Sequence, residues 1–324
     1  MRDAGGGRRV GTGRGRQLSV HRPVLVSEVV SYLVTDSGGI FVDGTVGASA
    51  GHARAILDVL DQDGRLVGLD RDPAAIAAAT MQLERFGERA VLVQARASLL
   101  SRVLAERGIG KIDGVLLDLG MSSDQLASSR GFSFDRDGVL DLRFDAREDR
   151  PAAHELIATL DAEELAQGLT RYGDFSRREA GRLARRLLAG RESRGLTQVG
   201  ELRALLDPVL LPHRRARTLA RLFQCLRIMV NDELQEVELA LKAAVENLRV
   251  GGILCVISYH SIEDRLVKRF MRPVPPPRRD LPPPPGWNDV PLEVLFRRPV
   301  RPGARETAEN PRARSARLRV ARRK

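Results

Sequence analysis

The sequence predicts an α/β fold: a doubly wound, largely parallel sheet interrupted by a helical insertion. Three observations carry this. Phe41-Val42-Asp43-Gly44-Thr45-Val46-Gly47-Ala48-Ser49-Ala50-Gly51-His52 reads as a short apolar strand ending in an acid and a small-residue loop. One helix later, Arg65-Leu66-Val67-Gly68-Leu69-Asp70-Arg71-Asp72 reads as a second strand ending in an acid. Further on, the runs 113–120 and 253–258 are almost continuously apolar, as strands covered on both faces must be.

The elements follow in order. Order is expected to begin near His21-Arg22-Pro23-Val24-Leu25, after a Gly- and Arg-rich tail over residues 1–18 that predicts disorder. Residues 26–33 fit a short amphipathic helix. Asp72-Pro73 supplies an N-cap and a proline at the first helical position of an Ala-rich helix. Ala90–Gln94 is a third strand and Asp113–Gly120 a fourth. After Gly120 the pattern turns loop-like over 121–150, then helical over 151–207, which predicts an insertion. Residues 215–249 form one long amphipathic stretch. It leads into a fifth buried strand, Ile253–Ser258, and a helix over 262–271. Eight of the 17 prolines fall between 273 and 285 and predict an extended loop. Glu293–Phe296 and Ala316–Val320 predict two closing strands.

Composition narrows the partners. The net charge is +11, with 53 basic residues against 42 acidic, so an anionic partner is expected. Only four of the basic residues are Lys, a skew that codon bias also produces. The two cysteines, Cys225 and Cys255, sit in apolar runs, which suits buried thiols in a reducing compartment. No Cys and His residues have metal-ligand spacing, so no metal is expected. Arg8-Arg9 lacks a following apolar region, and no run approaches a membrane span. A cytoplasmic protein is expected.

The small-residue loop and the acid closing the second strand are the plan of a nucleoside site, because such an acid accepts both ribose hydroxyls. The loop is not GxGxxG and no P-loop lysine follows it. S-adenosylmethionine is the remaining common ligand.

Further blocks join these: Leu69–Pro73, Leu117–Leu126, Arg130–Phe134, Leu140–Asp145, Leu226–Leu234, Ile257–Arg265 and Asn310–Val320. In this order, over roughly residues 21–324, the chain resembles the bacterial small-subunit (16S) ribosomal RNA cytosine-N4 methyltransferases, the RsmH or MraW family. The resemblance implies a class I (Rossmann-like) S-adenosylmethionine-dependent methyltransferase sheet with an inserted helical domain. Its expected divisions are core 19–125, an RNA-recognising insertion 126–218, and core 219–324 with a Pro-rich loop over 273–286. It implies methyl transfer to N4 of a cytidine in the decoding centre, at the P site. The implied partner is 16S rRNA or the small ribosomal subunit, with monomer and homodimer both open. The chain departs from the family in three places. The Asp43–His52 loop is one residue longer, with Ser49 or Ala50 in place of a glycine; Asp124 replaces a proline; and Ala97 stands where an aromatic is common.

Site roles follow from position and resemblance. Asp70 is expected to hold the ribose. Gly51 and His52 are expected to face the methionine part, where a Cβ at position 51 would obstruct the ligand. Asp43, Gly44, Ala50, Ala97 and Gln125 carry over as cofactor contacts. Asp118 ends the fourth strand beside the topological switch point. It is expected to touch the cofactor and also to bond the target amine, freeing its delocalised lone pair. Ser122 and His260 complete the catalytic candidates. Tyr259 and His260 end the fifth strand, where an aromatic can stack on an extruded base. Arg143, with Arg130 and the C-terminal arginines, is expected to meet RNA phosphates. Two alternatives arise. A non-catalytic RNA-binding or ribosome-assembly factor with this fold stays open. A DNA amino-methyltransferase lacks its Asn/Asp-Pro-Pro-aromatic motif, since Asp118-Leu119-Gly120-Met121 stands there.

Overall fold

The structure, a computed structural model, describes residues 23–120, 129–147, 149–272 and 291–324. The tail 1–18, Ser122, Gln125 and the Pro-rich loop lie outside the described residues.

The first part runs α1 (Val26–Leu33), β1 (Ile40–Asp43), α2 (Gly51–Val59), β2 (Arg65–Asp70), α3 (Pro73–Leu83), β3 (Ala90–Gln94), α4 (Leu100–Glu106) and β4 (Ile112–Asp118). Five helices follow: α5 (Ala153–Thr159), α6 (Ala162–Gly173), α7 (Arg177–Arg194), α8 (Val199–Leu206) and α9 (Arg215–Asn231). The chain ends with α10 (Glu233–Asn247), β5 (Leu248–Ser258), α11 (Ser261–Met271), β6 (Leu292–Val294), α12 (Ala304–Glu309) and β7 (Arg317–Arg323). Asp72 caps α3 as its sequence predicts, accepting from the Ala74 amide at 2.9 Å.

The seven strands are ordered β3-β2-β1-β4-β5-β7-β6. β1 to β5 run parallel, and β7 lies antiparallel between β5 and β6. This is the doubly wound α/β class the sequence predicts. Side chains alternate between the two faces. Phe41, Leu66, Leu116, Cys255 and Ile257 enter the core shared with α1, α2 and α3. Val42, Val67, Val115, Leu117, Leu254 and Val256 enter the core shared with α4 and α10. Both faces are therefore dry, which explains the uninterrupted apolar runs. Strand order reverses between β1 and β4, and this opens a crevice at their carboxyl ends.

Helices α5 to α9 pack around their own core, built from Ile157, Leu169, Leu187, Leu202, Leu222 and Leu226 among others. α9 belongs to this core as far as Val230, so the chain returns to the sheet at Asp232 rather than at residue 219. The amphipathic stretch 215–249 is two helices. Asp232 breaks it with left-handed backbone at φ 49°, which Asp tolerates better than most residues. Arg150 holds its carboxylate at 2.6 Å. Asn231, buried beside it, donates to the Leu142 and Arg227 carbonyls and accepts from the Phe144 amide. The bonds to Leu142 and Phe144 tie the segment leading into the insertion to the helix leaving it.

Candidate active site

The carboxyl ends of β1, β2 and β4 meet around one cavity at the switch point. Gly44, Gly51, His52, Asp70, Ala97, Asp118 and Tyr259 all line it. Asp43 and Ala50 stand behind this lining. Asp43 is 1% exposed and accepts from the Thr45 amide at 3.1 Å. The Thr45 hydroxyl in turn accepts from the Asp118 amide at 2.7 Å. Asp43 therefore braces the join between β1 and β4. Burial pushes its carboxyl up to about 6, against the opposing pull of His52 and the Thr45 amide.

Asp70 is anchored where its strand ends. Its oxygens accept from the Gly47 amide at 3.0 Å and the Asp72 amide at 2.9 Å. Burial raises its pKa, and these two amides pull it back. Each oxygen keeps a lone pair for a further donor.

The loop resolves which residue replaces the missing glycine. Ala50 has φ 46°, a left-handed conformation that glycine adopts without penalty, whereas Ser49 is not among the positive-φ residues. Ala50 therefore occupies the glycine position. Gly51 lines the cavity, and a Cβ there would also meet the Pro23 ring at 2.5 Å, so Pro23 too requires a small residue at this position.

Asp118 faces the Tyr259 phenol, and burial followed by that carboxylate's charge raises the phenol's pKa. Gly120 leaves room for the ring, since a Cβ there would lie 2.6 Å from it. On the other side, His52 Nδ1 is 3.7 Å from Asp118 Oδ2. His52 Nε2 is 2.9 Å from the Val24 carbonyl, which only accepts, so that nitrogen carries the hydrogen.

Tyr259 also lines a second concavity, between the insertion and the sheet, with Phe132, Phe134 and Phe223. His260 opens onto this groove and not onto the first cavity. It caps α11: Nδ1 accepts from the Glu263 amide, and Nε2 lies 2.8 Å from Glu263 Oε1. Arg143 lines neither concavity. Its guanidinium grips Asp141 at 2.7 and 3.0 Å and donates to the Arg150 carbonyl. Arg130 donates to the Phe144 carbonyl and stands 3.7 Å from Asp72.

Four cavity residues escape a reading of the sequence: Arg71, Phe144, Glu233 and Glu236. The Arg71 guanidinium lies 3.6 Å from the Phe144 ring centroid. Burial lowers its pKa to about 10, while Glu233 and Glu236 support its charge. Glu236 accepts from both the amide and the hydroxyl of Ser98. Glu233 is held by a two-pronged bond from the buried Arg227. Arg71 and Glu233 had a signal, since each follows an acid in a motif already singled out. Phe144 lies in the singled-out block Leu140–Asp145 without a role attached, and Glu236 had no signal, because only packing of α10 brings it here.

Residues 18–324 match the MraW methylase family. The chain belongs to that family. It is 44% identical over 315 residues to the ribosomal RNA small subunit methyltransferase H of Nitrosococcus oceani, covering 94% of this chain and 97% of that protein. It is 44% identical over 313 residues to the protein of the same name from Geobacter sulfurreducens, covering 93% and 98%. The counterpart from Thermomicrobium roseum is 42% identical over 316 residues, covering 94% of each. The cavity of this MraW-family chain fits S-adenosylmethionine. Its lining includes the anchored acid Asp70 and an apolar wall of Ala75, Leu117, Val237 and Ala240. Gly44 is closed against Leu117, so the floor has no room for a side chain. Among the described residues no group of His, Cys, Asp and Glu could hold a metal ion, and no helix is long and apolar enough to cross a membrane.

Proposed function

We propose that the chain transfers a methyl group from S-adenosylmethionine to the exocyclic N4 of a cytidine in the decoding centre, at the P site, of 16S rRNA, and that it works in the cytoplasm on that RNA or on the small subunit. The observation that carries this reading is Asp118. Its carboxylate lines the cofactor cavity beside Tyr259, the residue that this cavity shares with the aromatic groove.

The cofactor, when bound, supplies an electrophilic methyl group and its own leaving group. Asp70 holds its ribose, and Gly44, Ala97 and the apolar wall border its base. Tyr259 borders the groove in which the target base is received and keeps the Asp118 carboxylate fixed. Asp118 accepts a hydrogen bond from the amine N–H, which draws the lone pair out of ring conjugation toward nitrogen, and its carboxylate is placed to take up the proton that N4 loses on methylation. Holding that amine in line supplies much of the rate, because orientation replaces an entropic cost. The 121–128 loop, with Ser122 and Gln125, and His260 at the groove remain partners in this reading. No covalent nucleophile takes part. Burial pushes the Cys225 thiol up to about 12 and raises Cys255 as well, so neither forms a thiolate readily.

The test is mass mapping of cytidine methylation in small-subunit RNA from a deletion strain, with and without the protein restored. A methyl group that returns at N4 with the protein is the expected result. An unchanged map, together with absent S-adenosylmethionine binding by calorimetry, would favour a non-catalytic RNA-binding or assembly factor.

A further inference from the structure

We propose that exposed arginines on α7 and α9 form a track for the phosphate backbone of the RNA, away from the target nucleotide. This rests on the RNA substrate proposed above. Arg178, Arg182 and Arg185 of α7, with Arg214 and Arg217 at the start of α9, are all exposed. Among the described residues none of these five takes part in an ion pair or a side-chain hydrogen bond. Other arginines of the insertion are tied inward. Arg191 donates to three carbonyls, Arg215 grips Asp207 and Arg221 donates to Gly173.

The placement runs against the local preferences of the helices. Arg178 and Arg182 are four apart and Arg182 and Arg185 three apart, so like charges share one face, which weakens a helix. Arg178 lies in the first turn of α7, and Arg214 and Arg217 at the start of α9, where the helix dipole is positive and cations are unfavourable. Cations held there without internal partners fit an external polyanion. Codon bias explains arginine in place of lysine but not this clustering of charge.

The concavities connect this track to the chemistry. The cofactor cavity shares Tyr259 with the aromatic groove. The groove shares Gln224 and His260 with a third concavity, which Arg217 and Arg221 also line. Glu179 stands there too, facing Arg221 and Arg182, but its carboxylate is held by Ser176. Arg182 and Arg185 line a further depression of the insertion. A strand whose target base enters beside Tyr259 thus has a basic path leading from it.

The experiment measures binding of a small-subunit RNA transcript across a salt series. It compares the wild type with R178Q/R182Q, R214Q/R217Q and a control pair, R65Q/R107Q. Arg65 and Arg107 are exposed; Arg65 opens β2 and Arg107 precedes β4, at the opposite ends of those strands from the cavity. Each phosphate contact contributes about 0.7–0.9 to the slope of log affinity against log salt. Each ridge pair should therefore lower the slope by about 1.5 and weaken binding roughly tenfold at low salt. The control pair should change little, R178K/R182K should keep the wild-type slope, and S-adenosylmethionine titrations should be unchanged throughout. Ridge pairs that behave like the control pair, in a wild type that methylates its RNA, would overturn the track alone. A wild type that neither binds nor methylates the transcript would overturn the RNA reading and the track with it.

Discussion

The Tyr259 phenol stands beside the Asp118 carboxylate at the carboxyl ends of the neighbouring parallel strands β4 and β5, close enough for that carboxylate's charge to raise the phenol's pKa. The Asp118 amide donates to the hydroxyl of Thr45, two residues beyond the end of β1. Asp118 is thus fixed at a strand end, and rigid strand ends position a group more firmly than loops do.

Asp118→Ala should lower the methyl-transfer rate on the order of 100-fold or more with both substrates saturating, because positioning acts in the transition state. Single-turnover kinetics at high S-adenosylmethionine reads this directly. Recovery of a near wild-type rate would leave Asp118 with the cofactor only.

Tyr259→Phe keeps the ring and removes the donor. A hydrogen bond to a charged acceptor contributes about 1.5–3 kcal/mol, so a loss of roughly tenfold or more in rate is expected, with RNA affinity nearly unchanged. Tyr259→Leu should weaken RNA binding as well. Equal effects of the two variants on binding would show that the ring does not stack.

Asp70→Ala should weaken S-adenosylmethionine binding by on the order of 1–3 kcal/mol, since partly buried hydroxyls lose a charged acceptor. Part of the loss comes through the loop, because Asp70 also holds the Gly47 amide. Calorimetry giving wild-type affinity would remove Asp70 from the ribose site.

Asp43 gives the chain a pH signature. Its carboxyl is raised from 3.8 to about 6 by burial. The folded chain therefore binds this proton more tightly than the unfolded chain. The associated stability is present below about pH 4 and is lost as pH rises through about 6. A displacement of this size corresponds to on the order of 3 kcal/mol. Asp43→Asn, which keeps an acceptor for the Thr45 amide, should raise the melting temperature at pH 7 and leave it little changed at pH 4. Equal shifts at the two pH values would show that Asp43 ionises as freely as an exposed acid.

Ala50→Gly should stabilise the fold by about 0.5–1 kcal/mol, because alanine is strained at positive φ. Calorimetric melting checks it. A lower melting temperature would mean that packing of the fully buried Ala50 methyl outweighs the strain.

Much of the scaffold was readable one segment at a time. The apolar run 113–120 announced a central strand because both of its faces are buried, and Asp72-Pro73 announced a helix start because capping is local. The break at Asp232 was not readable, since 215–249 keeps helical amphipathicity throughout. Only the pull of Arg150 and Asn231 on its neighbourhood turns the chain there.

The sequence by itself determined the class of the fold, the order of the strands along the chain and the acids that end them, because periodicity and caps are properties of neighbouring residues. The tertiary structure alone decided which of those residues share a cavity. Arg143 and His260 had the right chemistry for contact, yet Arg143 is gripped by Asp141 and His260 caps α11 outside the cofactor cavity. Phe144 stood in a marked block with no role and Glu236 had no signal, yet both stand in that cavity. Gly51 is small for Pro23, 28 residues away in the chain. The physical reason is the same in each case. A side chain's role is set by the partner that reaches it, and partners distant in sequence are chosen by how the insertion and α10 pack against the sheet.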